Sequence, residues 1–438
     1  MIPGERFVVL GLAPPRAAWF RSVGVWATSG ALPAEFLKCV SAEEAGARLA
    51  SGRPFSALVA DAGLPSVDRD LLAAAAAVDC AVLVVDDGRA TRDWQALGAA
   101  RVLSASFTRD ELVTALAASA RTIRRGDTPV ADLLARPSPS PWRGTVAAVT
   151  GAGGTGVSTL AMALAQALGD DDKAVGTVLL ADLRLNAELA MLHDVRDVAP
   201  GIQELVEAHR SGQPTIDAVR SLAWAVDERR YHLLLGLRRP RFWPALRPQA
   251  FEAALDTLCA AYRVVVCDVD ADLEGEDGGG SIDVEERNVM ARTTATRADV
   301  VFAVGAPSLK GVHGLVRVVT DLIAFGVPGH RIVPVFNRSP RSQRARASLG
   351  AAVAELAGAT AGAHLASPVH LPERDIESDL HDGRRLPAAL GAPLAGALHA
   401  VVGRAVGRHR DGGRSHSTDG ERVRPGSLGR WTDDEAAV

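Results

Sequence analysis

Four glycines, two neighbouring hydroxyls and no lysine mark the stretch best suited to chemistry. In VTGAGGTGVSTLAMALAQAL (residues 149–168), Gly151, Gly153, Gly154 and Gly156 precede Ser158 and Thr159, and Thr155 stands between the last two glycines. Glycines spaced in this way let backbone N–H groups close on a phosphate, and a helix that starts at once adds a favourable dipole. The hydroxyl after the last glycine is where Mg²⁺ would be held. The pattern GxxxxGK[ST] has Lys where this chain has Val157, so the cation that reaches the outer phosphates is missing. A ligand-free strand-to-helix turn would use the same glycines, so the downstream residues must separate the two readings.

Two apolar runs end in carboxylates. Residues 177–183 form a buried-type strand that places Asp182 at its end, followed by Arg184. Residues 262–270 run through Val264, Val265 and Val266 to Asp268, the arrangement in which an aspartate binds Mg²⁺ directly or through water. Ser158, Asp182 and Asp268 are therefore the candidate metal set. Arg184 could offer a cation to a bound phosphate, but a solvated side chain or an i+4 pair with Glu188 is the favoured reading. The acidic residues 270–286, with three successive glycines, lack the carboxylate spacing of a calcium loop and read as a solvated insertion. A further apolar strand, 331–338, ends in Asn337 and Arg338, and Leu371-Pro372 follows.

These groups need a parallel sheet to bring them together, and the pattern supplies one. Strand, glycine turn and Ala/Leu-rich helix follow in order from residue 145, and α/β alternation continues to residue 407. Residues 6–12, 57–61 and 81–85 read as strands, and 41–51, 70–77 and 109–120 as helices. Ser41 is the N-cap and Glu44 completes a capping box. Between the two halves, residues 126–144 contain Pro-Ser-Pro-Ser-Pro (137–141) and read as a semi-rigid linker. Residues 408–438 are Gly-, Ser-, Arg- and Asp-rich and read as a disordered tail. The expected organisation is a first domain over 1–125, the linker, and a second domain over 145–407.

The chain has 438 residues, of which 47% are hydrophobic and 23% charged, enough for two globular cores. Its net charge of −4 gives no general pull towards nucleic acid. Arginines mix with aromatics at 238–243 and near Arg247, and cluster again at 338–346, but both stretches are short and read as loops or protein-docking surfaces. The four cysteines are scattered without CxxC spacing, which fits neither a disulfide framework nor a zinc site and suits a reducing cytoplasm. No apolar run is long enough to span a bilayer. Residues 387–406 read as a closing helix with too few lysines for a membrane-surface anchor, so membrane contact would be peripheral at most, through recruitment by partners.

The glycine loop resembles the deviant phosphate loop KGGxGK[ST] of the MinD/ParA superfamily, with Ala152 where the first lysine would cross a dimer and Val157 where the second would stand. The strand ending at Asp182 is similar to that superfamily's DxD switch strand, whose second aspartate orients attacking water and is Arg184 here. The resemblance implies that Asn337 and Arg338 close the adenine-reading strand and that Leu371-Pro372 turns over the base. Residues 6–125 resemble a response-regulator receiver (flavodoxin-like) domain with Asp61 at the phospho-acceptor position. Gly11, Leu12 and Ala13 replace its acidic pair, Asp86 and Asp87 stand where its hydroxyl belongs, and residues 103–106 carry no Lys, so the domain reads as a degenerate receiver that is not phosphorylated.

A degenerate receiver, a linker and a MinD/ParA-type P-loop doubly wound domain is the architecture of the CpaE/TadZ branch. The actinobacterial septum site-determining (Ssd), or CpaE-like, proteins of that branch likewise lack the lysines. The resemblance implies weak ATP binding with Mg²⁺, little or no hydrolysis, and a part in division-site placement through protein contacts. The alternatives are a localisation factor for a pilus or type II-like secretion system, or an active MinD-like ATPase. Any homodimer should form independently of ATP.

Overall fold

The computed structural model describes residues 5–89, 92–124, 143–171, 176–275, 281–358 and 365–412. Most of the proposed linker and residues 413–438 of the proposed tail lie outside them. The first sheet contains β1 (Glu5–Leu12), β2 (Ala34–Cys39), β3 (Ala57–Asp61), β4 (Ala81–Asp86), β5 (Arg101–Ser104) and the short β6 (Ile123–Arg124). Its main path runs β2-β1-β3-β4-β5, all parallel, while β6 pairs antiparallel with β1. Local chemistry sets the flanking helices. Ser41 Oγ accepts from Glu44 N at 3.2 Å to start the helix Ala42–Leu49, and Thr108 with Glu111 caps Arg109–Ser119. The helix Ala18–Thr28 and β2 did not stand out as elements in the sequence.

The second sheet contains β7 (Thr145–Gly151), β8 (Val178–Leu183), β9 (Trp224–Val226), β10 (Tyr231–Leu234), β11 (Val264–Val269), β12 (Val300–Gly305), β13 (Ile332–Ser339) and β14 (Val369–Pro372). Its order is β14-β13-β12-β7-β11-β8-β10-β9, parallel except at the β10–β9 edge. Alternation along the strands divides the core. Val146, Ala148, Val265 and Cys267 face the helices Pro248–Ala261 and Leu309–Ala324, while Ala147, Val149 and Val266 face the helices Val157–Gly169 and Ala388–Gly412. β7 lies between β11 and β12, where the strand order changes direction. The crevice beyond the carboxyl ends of the strands at such a point is the usual ligand position in doubly wound sheets.

The helix Ala388–Gly412 packs along Val157–Gly169, and both are alanine-rich, which lets their backbones approach closely. Gln166 fixes the register with a two-way amide pair to Leu386, each bond 2.8 Å. This helix runs to Gly412, past the boundary at 407 suggested by the sequence. A second difference lies in the acidic insertion, where Ile282–Arg287 is helical behind an N-cap from Ser281. No helix among the described residues is long and apolar enough to cross a membrane.

The two sheets are joined by a polar contact. Asp68 caps the helix Arg69–Ala77 through Leu71 N at 3.1 Å and also accepts from Arg210 Nε at 2.9 Å. Arg69 donates to the carbonyls of His209 at 2.8 Å and Gly212 at 2.9 Å. Asp70 accepts from Gln249 N at 3.0 Å, at the start of the helix Pro248–Ala261, and burial raises its pKa, offset in part by that Gln249 bond and by Arg247.

Candidate phosphate site

β7 delivers the chain into the glycine loop at the sheet's centre. Gly154 (φ +77°) and Gly156 (φ +90°) both occupy the left-handed region, so the loop folds back and the helix starts at Val157. Thr155 Oγ1 donates to Ala152 O at 2.6 Å, closing the turn from within. Gly151 lies against the Val304 backbone of β12, Gly153 faces open space, and Thr159 is half-buried. On the other side, Gly314 of the helix Leu309–Ala324 approaches the Ala152 side chain. The glycine turn is therefore tightly folded, while the two positions where the phosphate-loop pattern carries lysine, Ala152 and Val157, are apolar. Val157 is 4% exposed and belongs to the core.

Asn337 is placed on the loop itself. Its Nδ2 donates to Thr155 O at 2.9 Å and its Oδ1 accepts from Arg338 N at 2.9 Å, which satisfies both ends of the carboxamide locally. The resemblance implies contact with a base at Asn337; in the structure its carboxamide is bonded to the glycine loop. Arg338 adopts φ +56° and is exposed beside it.

The carboxylates come together at the ends of β8 and β11, whose register sets Asp182 opposite Asp268. Asp182 is fully buried and accepts from Leu189 N at 2.9 Å and, weakly, from Arg184 N at 3.4 Å. Burial and then the neighbouring Asp268 push its pKa up. Asp268 is 1% exposed and also raised, chiefly by burial, while Ser158 and Arg184 draw it back down. Even so, neither Asp268 oxygen is hydrogen-bonded.

Arg184 is the cation of this cluster. Its Nη1 lies 3.6 Å from Asp268 Oδ1 and its Nη2 3.2 Å from Asp270 Oδ1, and its side chain is only 19% exposed. The sequence had favoured solvent or Glu188 for Arg184. Closure of the parallel sheet instead presents carboxylates from a strand far along the chain. Asp270, one residue past the end of β11, also accepts from Leu185 N at 2.8 Å.

A divalent ion would find orphaned Asp268 oxygens beside Ser158, but the same carboxylates already face a guanidinium. Among the described residues, no three His, Cys, Asp or Glu side chains are gathered as a metal cage. The donor set fits a positive charge, and the chain has placed one of its own there. A cleft of about 800 Å³ opens elsewhere, beside Asp272, Arg292, Arg317 and Asp321, and no residue of the glycine loop lines it.

In the first sheet, Asp61 spends Oδ2 on Trp19 Nε1 and Oδ1 on Gly63 N, both at 2.9 Å. Asp86 is engaged in the same way by Trp94 Nε1 at 3.1 Å and Gly88 N at 2.9 Å. Two indoles therefore hold the carboxylates at the ends of β3 and β4.

No family model matches this sequence, and no curated protein matches it. Solved structures similar to the chain include a ParA family ATPase from Chlorobium tepidum TLS, at 16% identity over 59% of this chain and 97% of that one, with TM-score 0.44. The cell division ATPase MinD of Pyrococcus furiosus is similar at 17% identity over 60% of this chain and 99% of its own, with TM-score 0.42. The septum site-determining protein MinD of Pyrococcus horikoshii OT3, solved with Mg-ADP, is similar at 18% identity over 60% and 95%, with TM-score 0.41.

Proposed function

We propose that the chain is a CpaE-like regulator of the MinD/ParA superfamily that helps place the division site through protein contacts, and that its second domain binds ATP weakly. The proposal takes residues 1–125 as a degenerate receiver, 126–144 as linker and 145–407 as the nucleotide-binding domain. The observation that carries it is the glycine loop between β7 and its helix. Its two left-handed glycines turn the chain directly into a helix N-terminus, which supports a phosphate site there, yet the position of the outer-phosphate cation is the buried Val157. Loop amides and the helix dipole can hold an anion without a lysine, at reduced affinity. Turnover requires more, namely charge neutralisation at the leaving phosphate and an oriented water. Arg184 cannot accept a proton or orient water as a carboxylate does.

For the first domain, the β2-β1-β3-β4-β5 order supports the receiver-like reading, and the indole-held Asp61 supports its use as a docking module without phosphorylation. The test of the nucleotide proposal is calorimetry of the full chain with ATP and Mg²⁺, combined with steady-state phosphate release. Dissociation constants in the micromolar range or weaker, without turnover, are expected; sub-micromolar binding or sustained hydrolysis supports the active-ATPase alternative. Loss-of-function cells scored for both septum position and pilus assembly separate the division role from the secretion role.

A further inference from the structure

The turn after β8 is tied to the end of β11 twice, once by backbone and once by charge. Leu185 N donates to Asp270 Oδ2 at 2.8 Å, and the Arg184 guanidinium spans Asp268 and Asp270 at 3.6 and 3.2 Å. Arg184 is held mostly inside the protein, and its Nε has no partner. A guanidinium stays protonated at any working pH and presents a rigid fork of donors. The positive charge at Asp268 is therefore permanent and covalently tethered.

We propose that Arg184 stands in for the divalent ion at this site, so that the chain does not take up Mg²⁺ at Asp268 and any nucleotide or phosphate it holds is bound without metal. The second clause rests on the phosphate-loop reading above; the first does not. Mg²⁺ binds best where it keeps its octahedral shell through one or two carboxylates, waters and substrate phosphates. Here a fixed cation already faces the carboxylate nearest Ser158, and an entering ion would have to displace it or share Asp268 with a like charge. In exchange, the guanidinium offers phosphate oxygens the same forked geometry that carboxylates accept.

Thermal unfolding of the full chain tests both clauses in four media: EDTA, MgCl₂ alone, ATP in EDTA, and ATP with MgCl₂. The wild-type midpoint should be the same in EDTA and in MgCl₂, and ATP should raise it equally with and without the metal. Arg184→Gln should gain a response to MgCl₂ alone of about 2–4 °C, whereas Arg184→Lys, which keeps the charge, should stay indifferent. A wild-type midpoint raised by MgCl₂ alone, a requirement for Mg²⁺ in ATP binding, or a folded Arg184→Gln protein blind to MgCl₂ overturns the proposal. If ATP moves the midpoint in neither medium, the metal-free ligand clause and the nucleotide reading fall together, and the MgCl₂ comparison still decides the role of Arg184. If Arg184→Gln does not fold, the wild-type arms decide it.

Discussion

Asn337 Nδ2 and the Thr155 carbonyl meet at 2.9 Å, joining the end of β13 to the turn of the glycine loop. A Cβ on Gly156 would lie 2.5 Å from the same Nδ2, so the carboxamide fits a space that only glycine leaves open. Asn337→Ala should therefore destabilise the protein by about 1–3 kcal/mol, because Thr155 O and Arg338 N both lose their partner. Urea unfolding of the variant measures this, and hydrogen exchange should rise first in the loop. An unchanged midpoint would show that the bond does not brace the loop.

Val157→Lys restores the missing cation at a position that is now core. We expect ATP binding to tighten by about tenfold or more, since a charge-assisted bond contributes roughly 1.5–3 kcal/mol. Some stability should be lost with the buried valine. Turnover should not return, because Arg184 still occupies the place of a water-orienting carboxylate. Recovery of hydrolysis by this single change would refute that role for Arg184.

Much of this site was legible in the sequence because strands that end in a carboxylate and loops rich in glycine are local patterns. Asp182, Asp268 and the turn at Gly151–Gly156 belong to this class. Pairings made by topology were not legible. Arg184 has a plausible local partner in Glu188, and only the β8–β11 register reveals Asp268 and Asp270 as the real ones. Asn337 lies at the end of an apolar run, where nothing in the sequence says whether its amide reaches a ligand or the loop. The short strands β9 and β10 carry too few residues for periodicity to show.

The contact between the sheets predicts a second effect. Arg210→Ala would leave Asp68, 2% exposed, without its ion partner and Pro65 O without a donor. A loss of about 1–3 kcal/mol is expected, with faster hydrogen exchange in Arg69–Ala77 and Ile202–Ser211 together. A change confined to one of these helices would show that the contact does not couple the halves.

His193 gives the pH dependence a sign. It is half-buried between Leu189 O and the Tyr231 hydroxyl, both at 2.7 Å, and its partial loss of solvent lowers its pKa to about 4. The unfolded chain takes up this proton near pH 6.5 and the folded chain does not, so His193 adds stability above that pH and loses it as pH falls towards 4. The difference should amount to about 2 kcal/mol at pH 5 relative to pH 8. Buried Asp182 and Asp70, with raised pKa values, act in the opposite direction. The comparison is therefore wild type against His193→Gln by urea unfolding at each pH; equal slopes for the two proteins would remove His193 as the cause.

The proposed regulator acts through protein contacts and is not driven by an ATP switch. On that proposal, Ala152 offers no group for a partner's phosphates and Val157 none for its own, so nucleotide should have little differential affinity for monomer over dimer. Sedimentation velocity of the full chain, with and without ATP and Mg²⁺, tests this most directly. The same mass distribution in both conditions is the predicted result, and a monomer-to-dimer conversion on adding ATP would contradict it.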